Sequence, residues 1–242
     1  MSVPTWEGKG SDFSNTSATP AFIVPDGTAS GKVVIVSMFI NVAATLVTGV
    51  PTGFIEIEGS PVTGGSNKLV KYWKRLTGVD AGTYDFELDS AQFIEGAAEL
   101  YDNCVASGNP FEPDPGVAFD NTNGTVTPEV STDTSGPDRL LIHTATNWSG
   151  GTWTSPSGYT KRLQPPVGLV TTSDKSQLSE GSTGAVTASS TNSDKRTAHL
   201  IALIGTTVET PPVVSSEIKK GGWYDLVVIN GYYRVKTRKL EV

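Results

Sequence analysis

The residues best suited to nucleophilic or acid–base chemistry are two histidines and one cysteine. Attack by a serine or cysteine needs a base within hydrogen-bond reach. His143 lies in Leu140-Leu-Ile-His-Thr and His199 in Ala198-His-Leu-Ile, so each is interpreted as a strand residue rather than a base. No Gly-x-Ser-x-Gly elbow occurs, and Cys104 is interpreted as a small buried apolar residue. The sequence therefore predicts no catalytic residues and no enzyme.

Glu56 and Glu58 form the carboxylate pair that could support glycoside hydrolysis. That reaction needs two carboxyl groups about 5 to 9 Å apart across a cleft. Residues two apart on a strand share one face at roughly that separation. A solvated strand face gives the same pattern, and a hydrolase is one of three hypotheses that stay open.

Metal and cofactor sites are not predicted. One cysteine and two histidines cannot supply a tetrahedral zinc site. Asp120-Asn-Thr-Asn-Gly is rich in oxygen ligands but lacks the distal glutamate of a calcium loop, so a turn is preferred. No phosphate-binding Gly-x-x-x-x-Gly-Lys loop is present. We expect no cofactor.

Two tryptophans, Trp148 and Trp153, share the segment Asn147-Trp-Ser-Gly-Gly-Thr-Trp, which shows no core periodicity. Exposed aromatic rings in loops stack on sugars or anchor partners because they offer a large rigid surface. The pair is therefore a candidate ligand or partner loop, with a host-surface glycan as one possible ligand. The alternative is that both rings cap the end of the fold.

Composition favours strands and turns. Of 242 residues, 26 are Gly and 15 are Pro, and long Ala/Leu/Glu/Lys runs are scarce. The formal net charge of −7 argues against nucleic acid as a partner. A single cysteine excludes an internal disulfide. No secretory signal and no membrane-spanning run are recognised, which predicts a protein made and kept in a cytoplasm.

The strand pattern runs through most of the chain. Alternation in Thr83-Tyr-Asp-Phe-Glu-Leu places Tyr84, Phe86 and Leu88 on a core face. Helix competes with strand only at 91–101. Residues 8–30 and 102–137 are predicted to be largely irregular, the first with one edge strand and the second with one strand near 125–131. Strands are otherwise predicted near 32–40, 54–58, 68–76, 83–88, 93–101, 139–144, 159–163, 174–178, 185–190 and 197–204.

The pattern then restarts, which predicts an internal duplication. Pro51-Thr-Gly-Phe54 matches Pro156-Ser-Gly-Tyr159 at an offset of 105. Further matches keep the same order, giving pseudo-repeats at about 31–104 and 138–205. With four or five strands per half, we predict one all-β domain over 1–207, a two-sheet antiparallel sandwich of jelly-roll type.

A small C-terminal segment follows the predicted sandwich. Residues 208–214 form a Pro-rich linker, and Asn230-Gly231 predicts a β-hairpin within 215–242. A lone hairpin is marginally stable in water. We therefore expect this segment to dock on another subunit, or alternatively on its own sandwich. The candidate assembly residues are Trp223, Tyr224, Tyr232, Tyr233 and Arg234.

Four segments between Gly31 and Gly205 carry a resemblance to a known family: Gly31-Lys-Val-Val-Ile-Val, Val50-Pro-Thr-Gly-Phe54, Tyr72-Trp-Lys-Arg-Leu-Thr-Gly-Val-Asp-Ala-Gly-Thr-Tyr84 and Ser193-Asp-Lys-Arg-Thr-Ala198. On these segments the region resembles a β-sandwich module of minor tail proteins and related virion proteins of actinobacterial phages. The ending, with Asn230-Gly-Tyr-Tyr-Arg-Val, is similar to short Gly-aromatic repeats that close some of those proteins.

This resemblance implies a structural or adhesive role and transfers no catalytic residue. The first hypothesis is thus a virion component, most simply a minor tail protein, that contacts other phage virion proteins and forms a homo-oligomer. A capsid decoration protein is the alternative location. The second hypothesis is a carbohydrate-binding module acting through Trp148 and Trp153.

Overall fold

The computed structural model describes residues 2–206 and the backbone of residues 224–229 and 232–237. Regular structure in these residues is entirely β-strand, which confirms the all-β prediction. None of the described residues forms a helix that is long and apolar enough to cross a membrane. The chain divides into two units, Met1–Thr207 and Val208–Val242.

Twenty-one strands are described. The first half of the chain contains β1 (Thr5–Lys9), β2 (Phe13–Ser17), β3 (Ala21–Ile23), β4 (Val33–Ile40), β5 (Val47–Gly49), β6 (Ile55–Glu56), β7 (Val62–Gly64), β8 (Asn67–Arg75), β9 (Thr83–Asp85), β10 (Glu87–Leu88) and β11 (Gln92–Asp102). The second half and the C-terminal unit contain β12 (Gly116–Val126), β13 (Asp133–Thr134), β14 (Arg139–Asn147), β15 (Trp153–Thr154), β16 (Thr160–Leu163), β17 (Val170–Gln177), β18 (Gly181–Ser182), β19 (Ser189–Ile204), β20 (Tyr224–Ile229) and β21 (Tyr232–Thr237).

Two main antiparallel sheets share one strand order. The first main sheet runs β1-β11-β4-β8-β6, with β2 added on β11 and β7 on β8. The second runs β12-β19-β14-β17-β16, with β15 added on β19. Numbered by position in the chain, the five strands of each sheet lie in the order first, fifth, second, fourth, third, and the third is a short edge strand that follows a turn. Common ancestry of the two halves stays a prediction, and this shared order is consistent with it.

The turn before each short edge strand is also the same in both sheets. The N–H of Phe54 donates to the carbonyl of Pro51 at 3.1 Å, and the N–H of Tyr159 donates to that of Pro156 at 3.0 Å. The glycine between them has φ +86° in the first turn and +78° in the second. A lysine lies over the aromatic ring that ends each turn, 6.0 Å from the centroid in the first case and 5.8 Å in the second.

The two main sheets pack face to face, which confirms the sandwich. Two apolar clusters between them take side chains from both sheets. One cluster includes Ile35, Trp73, Ile142 and Ile201, and the other includes Phe39, Leu69, Leu163 and Val170. The outer face of the first sheet is covered by Tyr84, Phe86 and Leu88, the three residues whose alternation predicted a core face.

Several local predictions are corrected. The likeness to a jelly roll is not confirmed, because the strands of each half stay within their own main sheet in the described residues. Residues 8–30 hold β2 and the end of β1, which both pair with β11. Residues 116–126 form the eleven-residue β12 where a mostly irregular segment was expected. By contrast, the strand predicted near 93–101 is confirmed as part of β11, and the competing helix is not formed.

The C-terminal unit contains one antiparallel hairpin. β20 pairs with β21 from Tyr224 opposite Thr237 to Ile229 opposite Tyr232. These two strands contain the residues that the Asn-Gly signal predicted to pair. The predicted linker 208–214 lies outside the described residues.

Candidate functional site

The predicted tryptophan loop separates into one buried and one partly exposed ring. Trp153, on β15, is 1 % exposed, and its Nε1 donates to the carbonyl of Gly168 at 2.7 Å. Its ring packs with Ala145 and Ala188. The prediction that Trp153 contacts a ligand is therefore wrong, because the ring fills the interior and its only donor is already bonded.

Trp148 lies at the surface end of the same segment. Its side chain is 36 % exposed, and its ring meets that of Phe39 edge to face with 6.3 Å between centroids. Phe39 belongs to the apolar cluster between the main sheets, so Trp148 covers one end of that cluster. The structure thus brings one ring to the surface, and the two tryptophans do not form a joint stacking platform.

A second cluster, missed in the sequence, lies between the two main sheets. We call it the polar belt. Its members are Lys71, Glu95 and Glu99 from the first sheet and Thr144, Asp174 and His199 from the second. Side chains alternate between the two faces along each of the five strands that carry these residues. The six side chains therefore lie on the inner faces, together with the apolar clusters on either side. All six are buried, and all but Asp174 are 0 % exposed.

Hydrogen bonds within the polar belt join the sheets. Lys71 Nζ donates to Oγ1 of Thr144 at 2.8 Å. The carboxylate of Glu95 accepts from the backbone N–H of Val167 at 2.8 Å and from that of Leu169 at 2.5 Å. Since Val167 and Leu169 precede β17, Glu95 fixes the entry of that strand to the first sheet. Buried polar groups that are bonded in this way orient two packed faces.

Burial controls protonation in the polar belt. It lowers the pKa of Lys71 to about 7, although Glu99 opposes this shift. It raises the pKa of Glu99 to about 7, again opposed by its partner lysine. Burial also lowers the pKa of His199 well below its usual range. These shifts follow from the cost of holding a charge away from water. Five of the six side chains are closed to solvent, and only Asp174 reaches a surface pocket, where it pairs with Arg162, so the belt acts mainly as a structural tie.

The other two residues considered for catalysis are also interior. His143, on β14, is buried, and burial lowers its pKa to about 3. Cys104 follows β11 and is buried, and burial raises the pKa of its thiol to about 12. The interpretation of both histidines as strand residues is confirmed, as is the burial of Cys104. At neutral pH the thiol is protonated and therefore a poor nucleophile.

An open groove of about 530 Å³ has chemistry-bearing residues around it. We call it the acidic groove. Its lining includes Glu56 and Glu58 beside β6, Phe111 and Pro115 from the segment before β12, Trp73 of β8 and Ile201 of β19. Trp73 and Phe111 meet edge to face with 5.8 Å between ring centroids.

The acidic groove combines apolar walls with exposed carboxylates. Glu56 and Glu58 are exposed, and neither forms an ion pair with another described residue. A third lining carboxylate, Glu112, is buried and paired with Arg139 at 2.5 Å. Among the residues that the structure describes, no lysine, arginine or histidine is part of this lining. Glu56 and Glu58 both belong to the lining, but Glu56 stands opposite Tyr72 in the sheet, so its side chain lies on the face of β6 away from Trp73.

The predicted assembly residues belong to the C-terminal unit. Tyr224 begins β20, and Tyr232, Tyr233 and Arg234 begin β21, where only the backbone is described. Val227 stands opposite Arg234 in the hairpin. Trp223 lies outside the described residues. Among the residues that the structure covers, no cluster of three or more metal-binding side chains occurs.

Comparison with family models, with curated proteins and with solved structures finds no match for this chain.

Proposed function

We propose that this chain is a non-enzymatic structural subunit of a tailed bacteriophage particle, most simply a minor tail protein. The observation that carries the proposal is the rigid construction of the sandwich. Two sheets of one strand order are tied through buried polar groups, and the nucleophile and base candidates His143, His199 and Cys104 are enclosed within it. A rigid sandwich of this kind suits a structural subunit better than an enzyme. The sequence resemblance of residues 31–205 to virion β-sandwich modules supplies the biological setting.

Assembly is assigned to the C-terminal segment. An isolated two-stranded hairpin buries little apolar surface and gains stability by docking. The segment is rich in aromatic residues and contains two arginines, and both residue types are enriched at protein interfaces. Trp223, Tyr224, Tyr232, Tyr233 and Arg234 are its proposed contacts. Its partners are other virion proteins, including further copies of the chain, and its location is the assembled particle.

Truncation after Pro212 tests this proposal. Wild-type and truncated chains are supplied in turn to a phage lacking the gene, and purified particles are probed for the protein. The truncated chain should stay out of particles while keeping the circular dichroism and the cooperative unfolding of the full chain. Normal incorporation of the truncated chain would refute assembly through this segment. A capsid decoration role predicts the same dependence but places the protein on the head in labelled electron micrographs.

A carbohydrate-binding role is the second candidate, with Trp148 as its one exposed ring. The partly exposed indole supports stacking on a sugar, whereas the burial of Trp153 removes the second ring. A glycan array with wild type and Trp148→Ala decides between the two candidates. Binding that is lost in Trp148→Ala would support adhesion, and absence of binding would leave the structural role alone.

A further inference from the structure

The two units of the chain carry opposite net charge. Residues 1–207 contain 21 Asp and Glu against 12 Lys and Arg. Residues 208–242 contain 6 Lys and Arg against 4 Asp and Glu. The basic residues of this segment flank its aromatic ones, with Lys219 and Lys220 before Trp223 and with Arg234 and Lys236 after Tyr233. The segment therefore combines basic charge with large apolar side chains.

The acidic groove has the complementary character. Its apolar lining, which includes Trp73 and Phe111, could receive an aromatic or branched side chain. Glu58 lines the groove, and Glu56 lies in the adjoining edge strand β6 with its side chain on the outer face of the first sheet, beside Tyr72. Both are exposed and form no ion pair within the described part of the chain, so each can meet a lysine or arginine at the edge of the groove. No basic residue among the described lining would repel such a partner.

Apolar surface continues from the groove along the neighbouring edge strand. Pro115 lines the groove, and Val117 lies beside it, because both side chains pack against Gly59. A Cβ built on Gly59 would stand 3.0 Å from Cγ of Pro115 and 2.6 Å from Cγ2 of Val117. Val117 and Phe119, both on β12, are 43 % and 57 % exposed. Among the described residues β12 pairs only with β19, so its other edge has free backbone groups. Exposed apolar residues next to a free strand edge are typical of a surface that binds another chain.

We propose that the acidic groove of one copy binds the C-terminal segment of a second copy. The inference rests on the proposed function, because it takes that segment as the assembling element, and it adds the surface that receives it. The occupant is a second copy because this chain itself supplies a basic and aromatic segment to match the acidic and apolar groove. Each copy then offers one groove and one segment, which links subunits head to tail.

Charge reversal in the full-length protein tests both sides of this contact. The groove variant is Glu56→Lys with Glu58→Lys, and the segment variant is Lys219→Glu with Lys220→Glu. The control is Glu129→Lys with Glu180→Lys, which makes the same charge change at two exposed glutamates away from the groove lining. Sedimentation velocity over a range of protein concentrations measures self-association, and circular dichroism checks the fold.

Wild type and control should self-associate with equal affinity, and the association should weaken as salt is raised, as expected for contacts between charged groups. The groove variant and the segment variant should each associate at least tenfold more weakly. An equimolar mixture of the two should associate again, because the basic segment of one meets the acidic groove of the other. Recovery in the mixture also shows that both variants are folded.

Wild-type association of the groove variant would overturn the inference. If the segment variant alone fails to associate, the C-terminal segment still assembles the protein but on another surface, and the proposed function survives. A wild-type protein that stays monomeric at all concentrations overturns the contact between copies. The particle-incorporation experiment with the Pro212 truncation tests the proposed function separately.

Discussion

Lys71 of the first main sheet donates a hydrogen bond of 2.8 Å to Thr144 of the second, and both side chains are fully buried. This bond connects β8 to β14 through the middle of the sandwich. Glu99, on the same face as Lys71, is equally buried. The two sheets therefore meet through a buried lysine and a buried carboxyl group as well as through apolar packing. The stability of the sandwich should depend on the charge states of Lys71 and Glu99.

Replacing both buried charges should stabilise the protein at pH 7. The pKa of Lys71 is lowered to about 7, so its contribution to stability is present above about 10.5 and is lost as pH falls through about 7. The pKa of Glu99 is raised to about 7, so its contribution is present below about 4.5 and is lost as pH rises through about 7. Both groups thus favour their neutral forms in the fold.

The test compares Lys71→Met with Glu99→Gln as a double variant and as two single variants. Apolar or neutral replacement of a buried pair is often neutral or stabilising by about 1–4 kcal/mol, whereas removal of one partner costs about 3–5 kcal/mol. Urea unfolding at pH 7 measures the free energies, with Lys175→Met as a surface control, because Lys175 is exposed and forms no ion pair with a described residue. A double variant less stable than wild type, or less stable than both single variants, would contradict this prediction.

Acid should destabilise the sandwich partly through His143. Burial lowers its pKa from 6.5 to about 3, so its stabilising contribution is present above pH 6.5 and is lost as pH falls towards 3. In His143→Gln the slope of unfolding free energy against pH should be smaller by up to about 1.4 kcal/mol per pH unit across this range. Urea unfolding between pH 3 and 7 measures that slope. An unchanged slope would show that His143 does not titrate on unfolding.

The two tryptophans should differ sharply in their effect on stability. Trp153→Ala removes a filled interior position and should cost about 3–5 kcal/mol. Trp153→Phe keeps most of the packing but leaves the Gly168 carbonyl without its donor, at a cost of about 1–3 kcal/mol. Trp148→Ala should change stability by less than about 1 kcal/mol, because its ring is partly exposed. Urea unfolding ranks the three variants, and equal costs at both positions would be inconsistent with the packing described.

The two repeated turns should respond alike to substitution. Gly53 and Gly158 have φ +86° and +78°, and a Cβ at either would make only ordinary contacts with a lysine side chain. Ala at each position should therefore cost about 1–2 kcal/mol from the left-handed backbone alone. Gly78 has open space and no such backbone, so Gly78→Ala serves as the matched control. Thermal unfolding compares the three, and unequal costs at Gly53 and Gly158 would argue against equivalent turns.

Sequence periodicity predicted the long central strands well because their patterns are strong. Val33–Ile40 is apolar on both faces, and it lies in the middle of the first main sheet. Alternation around Phe86 placed its ring in the core, where it is 0 % exposed. Edge strands were harder to predict. β2 and β12 carry many polar residues, and they form because a neighbouring strand supplies hydrogen-bond partners that local sequence does not reveal.

The polar belt could not be predicted from spacing. Lys71 and Glu99 occur in strand segments whose alternation suggests a solvated face as readily as a buried one. Their burial depends on the second sheet, whose contributing residues lie 45 or more positions further along the chain. The prediction that Trp153 contacts a ligand failed for a related reason. Its ring is buried against Ala145 and Ala188, which come from other parts of the chain. Burial that depends on residues far along the chain cannot be predicted from the alternation of residues within one strand.

We propose that this protein is a structural part of a phage particle. Quantitative mass spectrometry of gradient-purified particles, from the phage that encodes the chain, tests it most directly. The account predicts the chain at a fixed copy number relative to the major capsid protein, unchanged after a second gradient. Its presence in the lysate together with its absence from the purified particles would contradict the account.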